Sequence, residues 1–245
     1  MRNVTFDFSG FNYLVTGASS GIGKQIVIDL AESGAKILAV ARREEALFEL
    51  KTQYPDNIFI AVCDVCDKEG IKIKIEEFVN LNGVFNGFVH SAGIYEFSPI
   101  KVFEKENFYK MMDISFWSGF DIIQILQKKK YSAEGCSIVL FSSVAAQKGE
   151  KGLLAYSATK AAISSAVRSV AKEITARKMR INTVMPGRVD TPMTQPYQNE
   201  EVNDMCLLGV GKTDDISSPV LFLLSDGAKW ITGTDFVVDG GYLAN

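Results

Sequence analysis

Six apolar runs, each of strand length and nearly uninterrupted, recur along the chain, and segments of helical period separate them. They cover 12–17 (NYLVTG), 36–41 (KILAVA), 58–63 (IFIAVC), 87–93 (GFVHSAG), 137–143 (SIVLFSS) and 181–187 (INTVMPG). A half-buried strand alternates apolar and polar residues. These runs do not, so they fit strands covered on both faces, as in a parallel sheet sandwiched by helices. Between them, KQIVIDLAESG and EEALFELKTQY repeat apolar residues at i, i+3, i+4 and i+7, and Gly34 stands where the first helix should stop. Strand–helix alternation with right-handed crossovers predicts a doubly wound α/β parallel sheet with helices on both faces. No linker, composition shift or internal repeat interrupts it, so one domain spanning 1–245 is expected. The segment 193–211, MTQPYQNEEVNDMCLLGVG, departs from the pattern. It reads as a substrate lid, with Tyr197, Met205 and Leu207–Leu208 lining an apolar pocket, or equally as a plain surface excursion.

Charge excludes some partners. With 26 basic against 29 acidic residues the net charge is −3, and no bulk basic surface for nucleic acid or an anionic membrane is expected. The N-terminal segment lacks the apolar core of a signal peptide, and no run reaches the roughly 18 apolar residues of a membrane span. Four cysteines in 245 residues are too sparse for a disulfide framework. Cys63 and Cys66 form a C-x-x-C, but a zinc site would need two more ligands and the chain has a single histidine, His90. No metal is expected; the pair reads as one buried thiol and one loop thiol. A reduced, cytoplasmic setting follows as an expectation.

TGASSGIG (16–23) joins the first strand to the first helix. Gly17 permits the tight turn, Gly21 lets backbone approach a pyrophosphate, and Gly23 allows close helix–sheet packing. Free N–H groups and the positive end of the helix dipole favour an anion there. At the tip of the second strand, where a carboxylate would accept from a ribose 2′-hydroxyl, stand Arg42 and Arg43. A guanidinium suits a 2′-phosphate, so NADP(H) is favoured over NAD. Glu44 and Glu45 read as first-turn residues of the next helix. Asp64-Val65, after the third strand, would meet the adenine edge or form a helix-capping turn.

Tyr156 and Lys160 share one face of a long helical segment. A tyrosine moving a proton near neutral pH must overcome a reference pKa of about 10, and a neighbouring cation helps it do so. The strand before this helix ends in Ser142-Ser143, and the carboxyl ends of strands are where open α/β sheets bind ligands.

With these elements assembled, the chain resembles the short-chain dehydrogenase/reductase (SDR) family, a Rossmann fold, over essentially its whole length. The matching motifs, in family order and spacing, are TGASSGIG, CDV, the AG of HSAG, FSSVAA, YSATK, NTVMPG, DTPM and VDGG. The resemblance implies that Tyr156 is the acid/base on the substrate oxygen and that Ser143 hydrogen-bonds that oxygen. Lys160 would hold the nicotinamide ribose and lower the tyrosine pKa. Further cofactor contacts are implied for Ser19, Ser20, Ile22, Ala92, Gly93, Pro186, Gly187, Val189 and Thr191. Two positions depart from the family. Ser115 replaces the catalytic asparagine, which puts the efficiency of the proton relay in question. His90-Ser91 replaces two asparagines, with His90 read as a hydrogen-bonded structural residue.

The resemblance implies an NADP(H)-dependent enzyme interconverting a ketone and a secondary alcohol, nearest to 3-oxoacyl-carrier-protein reductases. Its substrate would be a small or acyl-carrier-bound carbonyl compound. An NAD-dependent sugar, steroid or small-alcohol dehydrogenase is the alternative, and a non-catalytic cofactor-binding sensor a third reading. A homodimer or homotetramer built on the long helices after strands four and five is expected.

Overall fold

The computed structural model describes residues 4–197 and 205–245. Among them, seven parallel strands form one sheet: β1 (Asn12–Thr16), β2 (Lys36–Ala41), β3 (Ile58–Val62), β4 (Phe85–His90), β5 (Ser132–Phe141), β6 (Arg180–Pro186) and β7 (Asp235–Val238). The spatial order is β3-β2-β1-β4-β5-β6-β7. Chain order reverses between β1 and β4, and that switch point opens a crevice at the strand carboxyl ends. Helices α1 (Gly21–Glu32), α2 (Glu44–Gln53), α3 (Lys68–Asn82), α4 (Lys105–Met112), α5 (Ser118–Leu126), α6 (Ala145–Lys148), α7 (Leu154–Ile174) and α8 (Thr213–Leu224) make the connections.

Successive residues of one strand serve two cores. Tyr13 and Val15 pack in the cluster under α1 and α8, whereas Leu14, between them, packs in the cluster under α3, α5 and α7. This two-sided burial is why the runs read as continuously apolar. Gly34, φ +85°, follows the end of α1 as expected, and α2 begins at Glu44-Glu45. The seventh strand escapes sequence reading because Asp235–Val238 is a four-residue edge strand with none of its residues fully buried.

Between α4 and α5 the helix widens into a π turn, Asp113–Trp117. Of the irregular segment 193–211, residues 198–204 lie outside the described residues. Leu207 and Leu208 are exposed, and Met205 packs with Val144, Met185, Cys206 and Tyr242 rather than forming a pocket wall. Among the described residues, no helix is long and apolar enough to cross a membrane.

Candidate active site

The carboxyl ends of the strands border a cleft of about 620 Å³. At one end is the glycine turn. Gly17 has φ +68°, and a Cβ there would stand 2.7 Å from the Ala92 nitrogen; Gly23 has no such room either, its Cβ falling 2.4 Å from the Gly17 carbonyl oxygen. The first turn of α1 therefore closes tightly against the end of β1. Ser20, the N-cap, makes no side-chain capping bond, so the leading N–H groups of the helix are open to an acceptor. A Cβ on Gly21 would reach to 3.4 Å from Thr191 Cγ2, and glycine keeps that gap clear. A cradle of backbone donors facing a gap kept clear by glycine fits the pyrophosphate of a dinucleotide.

Farther along, Arg42 and Arg43 line the cleft with Asp64, Val65 and Cys63. Arg43 donates from Nε and Nη2 to Ser19 Oγ at 3.2 and 3.0 Å, so its guanidinium is tied to the glycine turn. The expectation of one buried thiol needs correction: Cys63 is half-buried and borders the cleft because β3 ends one residue earlier, at Val62. Burial and the carboxylates of Asp67 and Asp64 push its thiol up.

Ser143, Tyr156, Lys160, Pro186, Gly187 and Val189 line the rest of the cleft with Ala92 and Gly93, while Ser19, Ser20, Ile22 and Thr191 border it beside the glycine turn. Tyr156 and Lys160 lie one turn apart on α7, with Lys160 Nζ 5.6 Å from the tyrosine ring centre. Helix and sheet are stapled at this point. Lys160 Nζ donates to the Phe141 carbonyl at 2.9 Å, Ser142 Oγ donates to the Lys160 carbonyl at 3.0 Å, and Ser164 Oγ donates to Ser142 Oγ at 2.8 Å. Burial pushes Lys160 down to about 8 and Tyr156 up to about 12, the latter opposed by a hydrogen bond with the Ser143 side chain. The pair is thus set for a neutral phenol beside a readily titrated amine.

Two of the residues singled out from sequence do not line the cleft. Gly23 lies beneath the turn, and Ser115, 1 % exposed, stands against Gly93. Conversely, sequence reasoning missed Tyr95, whose ring meets Tyr156 edge-on at 5.1 Å, and Ile114 of the π turn. An aromatic residue just beyond the carboxyl end of β4 was the available signal for Tyr95. From the irregular segment, Met193, Thr194 and Pro196 border the cleft in place of the leucines, next to Pro192 just before it.

The sequence profile of a family described as enoyl-(acyl carrier protein) reductase, of the short-chain dehydrogenase type, matches residues 17–243. The chain belongs to the short-chain dehydrogenase/reductase family. It is similar to the 3-oxoacyl-(acyl-carrier-protein) reductase FabG of Thermotoga maritima, 30% identical over 236 residues that cover 93% of this chain and 96% of that protein. Among solved structures it resembles an SDR from Brucella melitensis titled glucose/ribitol dehydrogenase (TM-score 0.92, 27% identity, 98% and 99% of the two chains). ElxO with NADP bound is another neighbour (TM-score 0.86, 25% identity, 96% and 99%). As an SDR, this protein is an oxidoreductase of a family that uses nicotinamide cofactors.

Proposed function

We propose that this SDR is an NADP(H)-dependent oxidoreductase interconverting a ketone and a secondary alcohol. The observation that carries the reading is the convergence of Ser143, Tyr156 and Lys160 at one end of a cleft whose other end presents the glycine turn and two arginines. The turn, Ser19, Ser20 and Ile22 would hold the pyrophosphate, Arg43 and Arg42 the 2′-phosphate, Asp64 and Val65 the adenine. Ala92, Gly93, Pro186, Gly187, Val189 and Thr191 would hold the nicotinamide half. When bound, the nicotinamide supplies or accepts the hydride at the carbonyl carbon.

The chain's own residues manage the proton. Tyr156, held at about 12 by burial, is protonated at neutral pH and can donate from Oη to the ketone oxygen. Ser143 has one hydroxyl hydrogen: it orients the substrate by donating to the same oxygen, and turned to Tyr156 Oη it stabilises the phenolate, which lowers the cost of releasing the proton. Lys160, in its protonated form, lies one helical turn away and favours the phenolate electrostatically. In the alcohol direction Tyr156 takes the proton back.

The substrate would be a small or acyl-carrier-bound carbonyl compound, as the name of the Thermotoga relative suggests. Residues 193–211 would act as a lid on a single-domain protein, and a cytoplasmic setting suits that chemistry. Self-association as a dimer or tetramer would use the long helices after β4 and β5, α5 and α7; Tyr109 of α4 and Trp117 just before α5 stay exposed and suit such a contact.

The test is NADPH oxidation over a panel of ketones, with Tyr156→Phe, Arg42→Ala and Arg43→Ala alongside. Wild type turns over at least one ketone, and Tyr156→Phe loses at least a hundredfold in kcat while binding NADPH as before. Arg43→Ala weakens NADP at least tenfold with NAD little changed. Tight NADPH binding with no turnover would replace the reading by a cofactor-binding sensor. Equal NADP affinity in all three arginine forms would remove the 2′-phosphate assignment.

A further inference from the structure

His90, the chain's single histidine, ends β4 and is 2 % exposed. Its Nδ1 lies 2.8 Å from Thr16 Oγ1 at the end of β1. Its Nε2 faces the Ile114 carbonyl and Ser118 Oγ, each at 3.3 Å. These partners assign the tautomer. A carbonyl oxygen only accepts, and Ser118 already donates its hydrogen to the Ile114 carbonyl at 2.7 Å. Nε2 therefore carries the proton, and Nδ1 accepts from the Thr16 hydroxyl. Burial first, and then the nearby Lys160 cation, push the imidazole down to about 4, so it stays neutral through the physiological range. The ring is also boxed in: a Cβ on Gly119 would stand 2.8 Å from His90 Cδ2, so α5 closes on the imidazole because that residue is glycine.

What the imidazole grips is the π turn. Ile114 lies inside it and Ser118 directly after it, and the two bracket Ser115. A π turn carries one more residue than an α turn and is rare, so contacts from outside the helix weigh in where it forms. In this arrangement Ser115 Oγ stands 3.2 Å from the point a Gly93 Cβ would occupy, and Lys160 Nζ stands 3.8 Å from the same point. Ser115 Oγ has no hydrogen-bond partner among the described residues.

We propose that His90 is a positioning residue: it clamps the π turn to β1 and so holds Ser115 on the Lys160 side of Gly93, where the proton-handling groups meet. It acts through Ser115 and Lys160 and exchanges no proton itself. The proposal rests on the oxidoreductase reading above for its kinetic consequence, but the clamp itself has readouts that need no turnover.

With one histidine, the imidazole nitrogen spectrum of the ¹⁵N-labelled protein contains a single pair of signals. The Nε2–H tautomer is expected, unchanged from pH 8 to pH 5. In a reductively ¹³C-methylated sample, the Lys160 signal (assigned by its loss in Lys160→Arg) titrates near 8 in wild type, and His90→Leu changes its acid constant at least threefold. In turnover, His90→Leu lowers kcat at least tenfold, with KM for NADPH within about twofold, and shifts a limb of the kcat pH profile. His90→Asn, which keeps a donor and an acceptor, recovers most of the loss. Ser137→Ala, which removes a buried hydrogen bond to the Leu223 carbonyl far from the cleft, lowers Tm and leaves kcat and the profile alone. Should His90→Leu not fold, Ser118→Ala removes one contact of the clamp and gives the same changes at smaller amplitude.

A titrating or Nδ1-protonated imidazole overturns the proposal. So does a clamp variant that loses stability while the Lys160 titration, kcat and pH profile stay at wild-type values. A wild type that reduces no ketone defeats the oxidoreductase reading alone, and the Lys160 titration then decides the clamp.

Discussion

Replacing Lys160 by methionine should make the protein more stable and inactive at once. Lys160 is 7 % exposed, and its surroundings hold it near 8 against an ordinary lysine value of 10.5. At about 1.4 kcal/mol per tenfold change in proton affinity, the protonated lysine costs the folded state about 3 kcal/mol at pH 7. Removing the amine also removes its hydrogen bond to the Phe141 carbonyl, worth about 1 kcal/mol, so the net gain should be about 2 kcal/mol. The sign with pH follows from proton counting. Because the folded value lies below the unfolded one, the destabilisation is complete below about pH 8. It is relieved as pH rises toward 10.5, where the unfolded chain still binds a proton that the folded chain has shed. At pH 10 the penalty has fallen to about 1 kcal/mol, and the advantage of Lys160→Met should have vanished. Urea unfolding of both proteins at pH 7 and pH 10 measures this. Far-UV circular dichroism is the suitable probe, since Trp117 and Trp230 are already exposed in the folded chain. A variant less stable than wild type at pH 7, or an advantage of equal size at both pH values, would refute the reasoning.

Gly23→Ala should lower stability by about 2 kcal/mol or more and weaken NADPH binding at least tenfold. Its Cβ would fall 2.4 Å from the Gly17 carbonyl oxygen, and backbone cannot yield as a side chain does; thermal melts and fluorescence titration measure the two effects. Arg177→Met should destabilise by about 2 kcal/mol and leave specific activity intact. Its guanidinium donates to the carbonyls of Leu126, Gln127, Ser132 and Ala133, remote from the cleft, and tethers the end of α5 to the start of β5. Urea titration beside a kinetic assay separates these outcomes.

The sheet was legible because strands buried on both faces leave no alternation to misread, as at Tyr13, Leu14 and Val15, each turned to one core or the other. β7 was not, because a four-residue edge strand, largely half-buried, is too short to show a pattern. Gly17, Gly21 and Gly23 announced the turn, since residues without a Cβ are needed wherever backbone meets backbone. The tie between Arg43 and Ser19 was invisible: an exposed arginine and a half-buried serine lie 24 positions apart, and only the adjacency of β1 and β2 brings them together.

The order of apolar runs, the glycines and the Tyr156–Lys160 spacing determined by themselves the fold class, and the ordered motifs carried the resemblance to the family. Many of the residues bordering the cleft were legible with them, but Tyr95 and Ile114 were not. The fold class follows from local periodicity, which one strand or one helix turn expresses on its own. The tertiary structure alone decided the electrostatic state of those residues. Lys160 is depressed because α7 packs it against the end of β5, and Ser115 stands against Gly93 on the Lys160 side because the imidazole of His90 grips a π turn from a strand 24 residues earlier. Burial and hydrogen bonding between distant segments set those properties, and neither is written in the spacing of residues along the chain.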